Sequence, residues 1–570
     1  MGSSGAYVLH IAFDNTRRLK RNVYYFRYKD QLISGLSVDF GGRAAEEIIF
    51  KRISTPYMSC CHGSHSEHHH DACSTARAPR AEQACRAALQ TAISGELDAW
   101  HNLLYSRLRD RAVPAVIHND AITPAASLWT GSRLWLQAFR NTGLQPGHRL
   151  ILALPESAEF IQVLVAALWH NLTIIPVRPD ADLDACIATV DAHAVVHEQQ
   201  LTPYTWVPNG CTGPRNSVEE LRTTRFSAHP KVRFLMRTSG TTTPNGRWFA
   251  FSDANMLAVL ASHLPYFSLK HGRALSVLPW SHAFGLVLDL LPALFSEAEI
   301  IRDPEGGRDP ESILALRDAW GATHLSAVPL TMHRLLNHSR GPAFIRTLQG
   351  GIVGGAPINA PLAEHLQDAS LRIGYGQTEA SPGIALGDPG ESAPNYLGQP
   401  LGCSVKVANN GELFFKGQNA CIGRWTEDGL TPLDPNRWAD TGDIVHQDGD
   451  DLYFRGRTDD AFKLQNGRMV QAGYLESVLK AAYPDAHNVM VYSLNGCDTE
   501  VAFCWPKTTT APPTQQHLHA TLGTLQPKPT MIRRIPPAHW PTDAKGATDR
   551  AALTEHLAQH NSTQASLSSP

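Results

Sequence analysis

An α/β fold is what this sequence predicts, and three observations predict it. HRLILALP (148–155) reads as an apolar strand, ESAEFIQVLVAALWHN runs on at helical spacing, and LTIIPV closes the unit as a second strand. That order implies a parallel pair joined by a right-handed crossover. The alternation recurs in AVVHE, RFLM, ALSVLP and THLSAVP, the last leading into the helical LTMHRLLNH. The third observation is composition: 43% apolar and 18% charged residues over 570 positions suit a globular chain with two or more domains.

Residues 1–84 do not share this texture and read as an irregular extension. Within them CCHGSHSEHHHDAC places Cys60, Cys61, His62, His65, His68, His69, His70 and Cys73 close together. Thiolates and imidazoles at that density suit zinc, but little apolar sequence surrounds them to order the ligands. A His-rich linker is the reading preferred.

Residues 85–455 carry the alternating units and form the large domain. Repeated βα units with glycine-rich loops after the strands put ligand groups at the strands' carboxyl ends. From about residue 395 the texture changes to short strands and turns, GCSVKVANNGELFFKG and GDIVHQDGDDLYFRGR. A helix (GYLESVLKAAY), a strand (NVMVYSL) and a last helix (ATDRAALTEHLAQH) then make a small α+β domain over 456–570. The polar run Gly456-Arg457-Thr458-Asp459 is the expected break between the two.

A net charge of −3 gives no electrostatic reason to expect nucleic acid or an anionic membrane as partner. The most apolar stretch, LSVLPWSHAFGLVLDLLPALF, is broken by Pro279, His282, Asp289 and Pro292, so no uninterrupted span of about 20 residues exists. At the N-terminus the basic RRLKR follows the apolar YVLHIAF, the reverse of a signal peptide. Ten cysteines in so long a chain do not make a disulfide scaffold. The expectation is a cytoplasmic protein.

Chemistry concentrates in six short motifs: TSGTTTPNG (238–246), LPWSHAFGL (278–286), GGAPI (354–358), GYGQTEA (374–380), TGD (441–443) and GRTDDAFK (456–463). The first offers backbone N–H groups and hydroxyls that wrap phosphate oxygens, as anion-binding nests do. It is not a Walker loop, because no G-K-[ST] opens a following helix. GGAPI puts small residues where a flat ring can lie against backbone.

In this order and spacing the motifs resemble those of the adenylate-forming superfamily: acyl- and aryl-CoA ligases, peptide-synthetase adenylation domains and beetle luciferases. The resemblance runs from about residue 90 to 555. It implies a large adenylate-forming α/β domain followed by the small C-terminal one, and it implies roles. Thr238, Ser239, Gly240, Thr241 and Thr242 would hold the phosphates of ATP. Gly355, Ala356 and Pro357 would line the adenine, Tyr375 would stack on it, and Thr378 would meet the α-phosphate. Glu379 would be the carboxylate for Mg2+. Asp443 would accept from both ribose hydroxyls with Arg457 beside it, and Asp459 would be the hinge of the small domain. Lys463 would reach the site after that domain rotates, and His282 with Phe284 would shape the acyl corner. Relatives that activate amino acids carry an aspartate at that corner; HAFG implies an uncharged acyl or aryl tail instead.

The chain departs from the pattern in three places. The phosphate loop is one residue short and has Asn245 where the family has lysine, with Arg247 two positions on. KLQNGRMV after Lys463 has one residue more than usual. In PTDAKGATDRAAL, Arg550 and Leu553 match, but the lysine that bridges the acid and the α-phosphate is Lys545, two positions early. A separate resemblance, of residues 33–50 (ISGLSVDFGGRAAEEIIF) to a helix-rich segment of membrane-anchored AAA zinc proteases, carries no activity, because no H-E-x-x-H occurs anywhere.

The resulting expectation is ATP-dependent activation of a carboxylic acid, giving an acyl- or aryl-adenylate and pyrophosphate. A thioester with CoA or the phosphopantetheine of an acyl carrier protein would follow. The alternative is a catalytically silent nucleotide-binding homologue.

Overall fold

The computed structural model describes residues 81–95, 114–197, 231–238, 247–426, 428–506, 513–542 and 548–566, single positions aside, with pieces between 99 and 108 and three strands before residue 52. Two compact units result, residues 1–77 and 78–570.

In the first unit Arg21–Tyr28 and Gln31–Val38 form an antiparallel hairpin, and Ile49–Lys51 adds a third strand. The start of the protease-like stretch is thus extended, not helical. The Tyr-, Phe- and Val-rich partner strand RNVYYFRY explains this, since such residues favour a pleated pair over a helix. The Cys/His-rich run, residues 60–73, lies outside the described residues.

In the second unit the expected crossover is present. Arg149–Ala153 is buried along its whole length and pairs in parallel with Thr173–Pro176 and Ala194–His197. Between the first two strands runs the helix Ala158–Trp169, started by Ser157, whose hydroxyl accepts from the Phe160 N–H at 3.3 Å. The sheet continues through Phe234–Arg237, Trp248–Phe251, Gly423–Thr426 and Gly429–Pro432. A second sheet has the order His324–Ser326, Arg273–Ser276, Glu299–Arg302, Pro114–His118, Ala121–Pro124. A third, of eight strands, runs from Ile352–Gly354 and Arg372–Gly376 to the hairpins Ala439–Asp448/Asp451–Arg457 and Ser404–Val407/Glu412–Lys416.

Two local features matter for the site. A strand, not a helix, follows the phosphate loop. WFAF (Trp248–Phe251), buried at every position, first returns antiparallel to Phe234–Arg237, so the loop is the tip of a hairpin. The helix after it, Asp253–His263, is buried nearly all round, because the helix Ala81–Ile93 covers it.

A buried ion pair braces this region. Arg233 gives Nε and Nη2 to the two Asp253 oxygens at 2.7 and 3.0 Å, and the Trp100 indole N–H adds a bond at 2.6 Å. Among the described residues, the hydrophobic clusters drawn from residues 81–454 and those drawn from 462–557 share no member.

Candidate active site

Strand pairing assembles the motifs. Gly354 pairs in parallel with Gly374, so GGAPI and GYGQTEA leave neighbouring strands side by side. Gly355 turns at φ +87°, a left-handed conformation open to glycine. A β-carbon placed on Gly355 would lie 3.9 Å from the Phe284 ring, so the SHAFG corner faces the GGAPI turn. His282 is extended and heads the short helix Ala283–Gly285, which passes into a π-turn, Leu286–Leu290. Ala356 is half-buried and Pro357 exposed.

Tyr375 donates its hydroxyl to Asp443 Oδ2 at 2.6 Å, and Arg457 Nη1 donates to Oδ1 at 2.7 Å. Asp443 is directly opposite Arg457 in the hairpin, which sets that contact. Thr441, missed as a site residue although it opens the TGD motif, fixes the turn. Its hydroxyl donates to the Leu413 carbonyl at 2.7 Å and accepts from the Asp443 N–H at 3.1 Å. Burial pushes the Asp443 carboxyl above its ordinary range, against the pull of Arg457 and the Tyr375 bond. The Tyr375 phenol is likewise raised, first by burial and then by the Asp443 charge.

Thr378 and Glu379 follow in a single 3-10 turn and are half-buried. The Glu379 carbonyl accepts from the Cys421 N–H at 2.9 Å. Burial raises the Glu379 carboxyl; a hydrogen bond from its own backbone opposes the rise most, followed by Arg457, Arg247 and Arg424. Thr378, Glu379 and Asp443 therefore converge, through Tyr375 and Arg457, on one locality. Arg424 has no sequence signal. It reaches this locality through the register of Gly423–Thr426 against Trp248–Phe251, in which it stands opposite Phe249.

Of the phosphate loop only its two ends are described. The Thr238 N–H donates to the Arg247 carbonyl at 2.9 Å, and the Arg247 N–H donates back to the Thr238 hydroxyl at 3.3 Å. Ser239, Gly240, Thr241, Thr242 and Asn245 lie outside the described residues, as does Lys545.

The neighbours of Lys545 are placed. Thr542 and Thr548 bridge antiparallel, and the Asp549 N–H donates to the Pro541 carbonyl at 3.0 Å. Arg550 donates twice to Glu476, at 2.7 and 2.9 Å, and to the Val491 carbonyl. Lys463 is exposed at the end of Ala461–Lys463. That strand pairs antiparallel with Met469–Gln471, so the extra residue of KLQNGRMV falls in the turn between them. Among the described residues no group of three His, Cys, Asp or Glu side chains is placed to hold a metal. Mg2+ needs only one or two carboxylates when phosphates complete its shell, and Glu379 beside the loop fits that role.

Residues 135–423 match the family model of AMP-binding enzymes. The chain belongs to the AMP-binding enzyme family. It is 25% identical over 371 residues to a feruloyl-CoA synthase of an Amycolatopsis species, spanning 60% of this chain and 74% of that one. It is 31% identical over 163 residues to a long-chain-fatty-acid–CoA ligase of Mycobacterium bovis, 28% of this chain and 27% of that protein. The fold is shared with the amide bond synthetase of Marinactinospora thermotolerans, at TM-score 0.65 and 20% identity over 80% of this chain and 99% of the other. An anthranilate CoA ligase bound to anthranoyl-AMP matches at TM-score 0.64 and 16% identity, over 80% of this chain and 97% of its own. No helix among the described residues is long and apolar enough to cross a membrane.

Proposed function

We propose that this family member is an AMP-forming acid–thiol ligase acting on a carboxylic acid with an uncharged acyl or aryl tail. The observation that carries the reading is the meeting of Tyr375, Asp443 and Arg457 with Glu379 beside the ends of a hydroxyl-rich hairpin loop. Names of relatives point the same way, since feruloyl-CoA synthase and fatty-acid–CoA ligase both denote activation of such acids.

In the first half-reaction a carboxylate oxygen attacks the α-phosphorus of ATP. The bond to the β-phosphate oxygen breaks, and acyl-adenylate and pyrophosphate form. Asp443 and Arg457 fix the ribose, Tyr375 and the Gly355–Pro357 turn fix the adenine, and Thr378 meets the α-phosphate. Ser239, Gly240, Thr241 and Thr242, with Thr238 at the base, surround the remaining phosphates. Glu379 would hold Mg2+, which supplies charge neutralisation to the departing pyrophosphate. Lys545 carries the positive charge between the acid and the α-phosphate, and His282 shapes the acyl corner. Such preorganised charge and positioning carry most phosphoryl-transfer catalysis.

In the second half-reaction a thiol attacks the acyl carbon, releasing AMP and giving up its proton. CoA is the expected thiol, and a carrier-protein phosphopantetheine is the other. Residues 456–570, with a core of their own, are the small domain that turns about Asp459 to bring Lys463 inward. Cytoplasmic residence completes the proposal and agrees with the free thiols of Cys186, Cys403, Cys421, Cys497 and Cys504.

ATP–pyrophosphate exchange across fatty, benzoic and cinnamic acids tests the reading. Exchange with at least one acid is expected, and Lys545→Ala should lower it on the order of 100-fold or more. Nucleotide binding with no exchange for any acid would leave a silent homologue. Near-normal exchange by Lys545→Ala would remove that lysine from the mechanism.

A further inference from the structure

The phosphate loop lacks the lysine of its family pattern, so the negative charge of the terminal phosphates needs another counterpart. Three guanidinium groups act on the Glu379 carboxyl: Arg457, Arg247 and Arg424. Arg457 is engaged with Asp443 at 2.7 Å. Of the other two, Arg424 lies in the strand Gly423–Thr426, and Arg247 immediately precedes its partner strand Trp248–Phe251.

Trp248 pairs with Trp425 and Phe249 with Arg424, antiparallel. Side chains alternate along a strand, and cross-strand partners share a face. Trp248 and Trp425 accordingly pack together in one hydrophobic cluster, while Phe249 belongs to a different one. Arg247, two residues before Phe249, and Arg424, opposite it, therefore project from the Phe249 face. Arg424 lies over the Phe249 ring, 6.0 Å from its centroid, and both arginines are exposed. Arg247 is also bonded through its backbone to Thr238, where the phosphate loop begins. The strand of Arg424 is anchored close by, through the Cys421 N–H on the Glu379 carbonyl. Two planar, permanently charged forks thus flank the root of the loop on the side of Glu379, and such forks match phosphate oxygens.

We propose that Arg424, acting with Arg247, binds the β- and γ-phosphates of the nucleotide and supplies the positive charge that Asn245 cannot. The inference rests on the ligase reading above and adds a phosphate-binding residue to it. Arg424 interacts only with phosphates that leave as pyrophosphate, so it separates ATP from AMP.

Calorimetric titration of the full chain with MgATP and with AMP tests this, using the parent, Arg424→Gln, Arg247→Gln/Arg424→Gln and Arg424→Lys. Arg424→Gln should weaken ATP on the order of 10-fold and the double variant further, while AMP stays within about 2-fold, by the strength of charge-assisted phosphate contacts. Arg424→Lys should recover part of the loss, and 0.5 M NaCl should shrink it, since exposed charges are screened. An unchanged ATP-to-AMP preference in the double variant would overturn the proposal, because Arg424 would then be a solvated cation resting on Phe249. A lysine variant as weak as the glutamine one would overturn it too. A parent that binds neither nucleotide overturns the ligase reading itself, and this inference with it.

Discussion

Asp443→Asn keeps the shape of the side chain and removes its charge, and its effect can be worked from the site. Each carboxylate oxygen has one described hydrogen bond, Oδ1 from Arg457 at 2.7 Å and Oδ2 from Tyr375 at 2.6 Å. A carboxylate offers about four acceptor positions, so one on each oxygen is left for a ribose hydroxyl. Asparagine has one accepting oxygen, and its NH2 group would face Arg457 or Tyr375, which are themselves donors. At about 1.5–3 kcal/mol for a hydrogen bond to a charged group, losing one to two such bonds comes to about 3 kcal/mol. That is about 100-fold in nucleotide affinity. Folding should tolerate the exchange, because burial already disfavours charge at this position. The assay is the dissociation constant of ATP and of 2′,3′-dideoxy-ATP for parent and variant. The parent should prefer ATP by about two decades, and Asp443→Asn should bind both alike. A variant that keeps the preference for the ribose hydroxyls would refute the placement of the sugar on Asp443.

Three further substitutions probe the frame around the site. A β-carbon on Gly285 would stand 2.2 Å from the Pro279 carbonyl oxygen, so Gly285→Ala should lower stability by about 1–3 kcal/mol and disturb the His282–Phe284 corner; an unchanged melting temperature would contradict the packing. Arg233→Met leaves the Asp253 carboxylate buried without its cation and should destabilise by about 3–5 kcal/mol in urea titration, against which a loss below about 1 kcal/mol would count. The Asp289 carboxyl, raised by burial from 3.8 to about 7, with the Ser276 hydroxyl and Arg302 opposing the shift, keeps its proton in the folded chain after the unfolded chain has lost it. The stability it contributes is complete below pH 3.8 and is lost as pH rises to about 7. Asp289→Asn should flatten that window by on the order of 4 kcal/mol, and an unaltered pH profile of unfolding would refute the assignment.

What was legible in the sequence follows from how local each cause is. The strand Arg149–Ala153 is buried on both faces, and its unbroken apolar run announces that. Asp443 is legible because the TGD turn that sets it is contiguous, with Thr441 bonded to the Asp443 backbone. The hairpin hidden between the phosphate loop and its helix was harder, because WFAF is too short for periodicity to separate strand from helix. Arg424 had no such signal, since its position depends on pairing with a strand distant in sequence. The union of Arg233, Asp253 and Trp100 is of the same kind, three unremarkable residues joined only by the fold.

The bridge between Thr542 and Thr548 bears on the displaced lysine. Thr542 and Thr548 are paired with each other, and Arg550 just beyond is bonded to Glu476. In sequence Ala547 adjoins the paired Thr548, whereas Lys545 is three residues from each threonine. Loosening either anchor, by Thr548→Pro or Arg550→Ala, would therefore act on the lysine without touching it, and the two variants should lower exchange with the lysine itself intact.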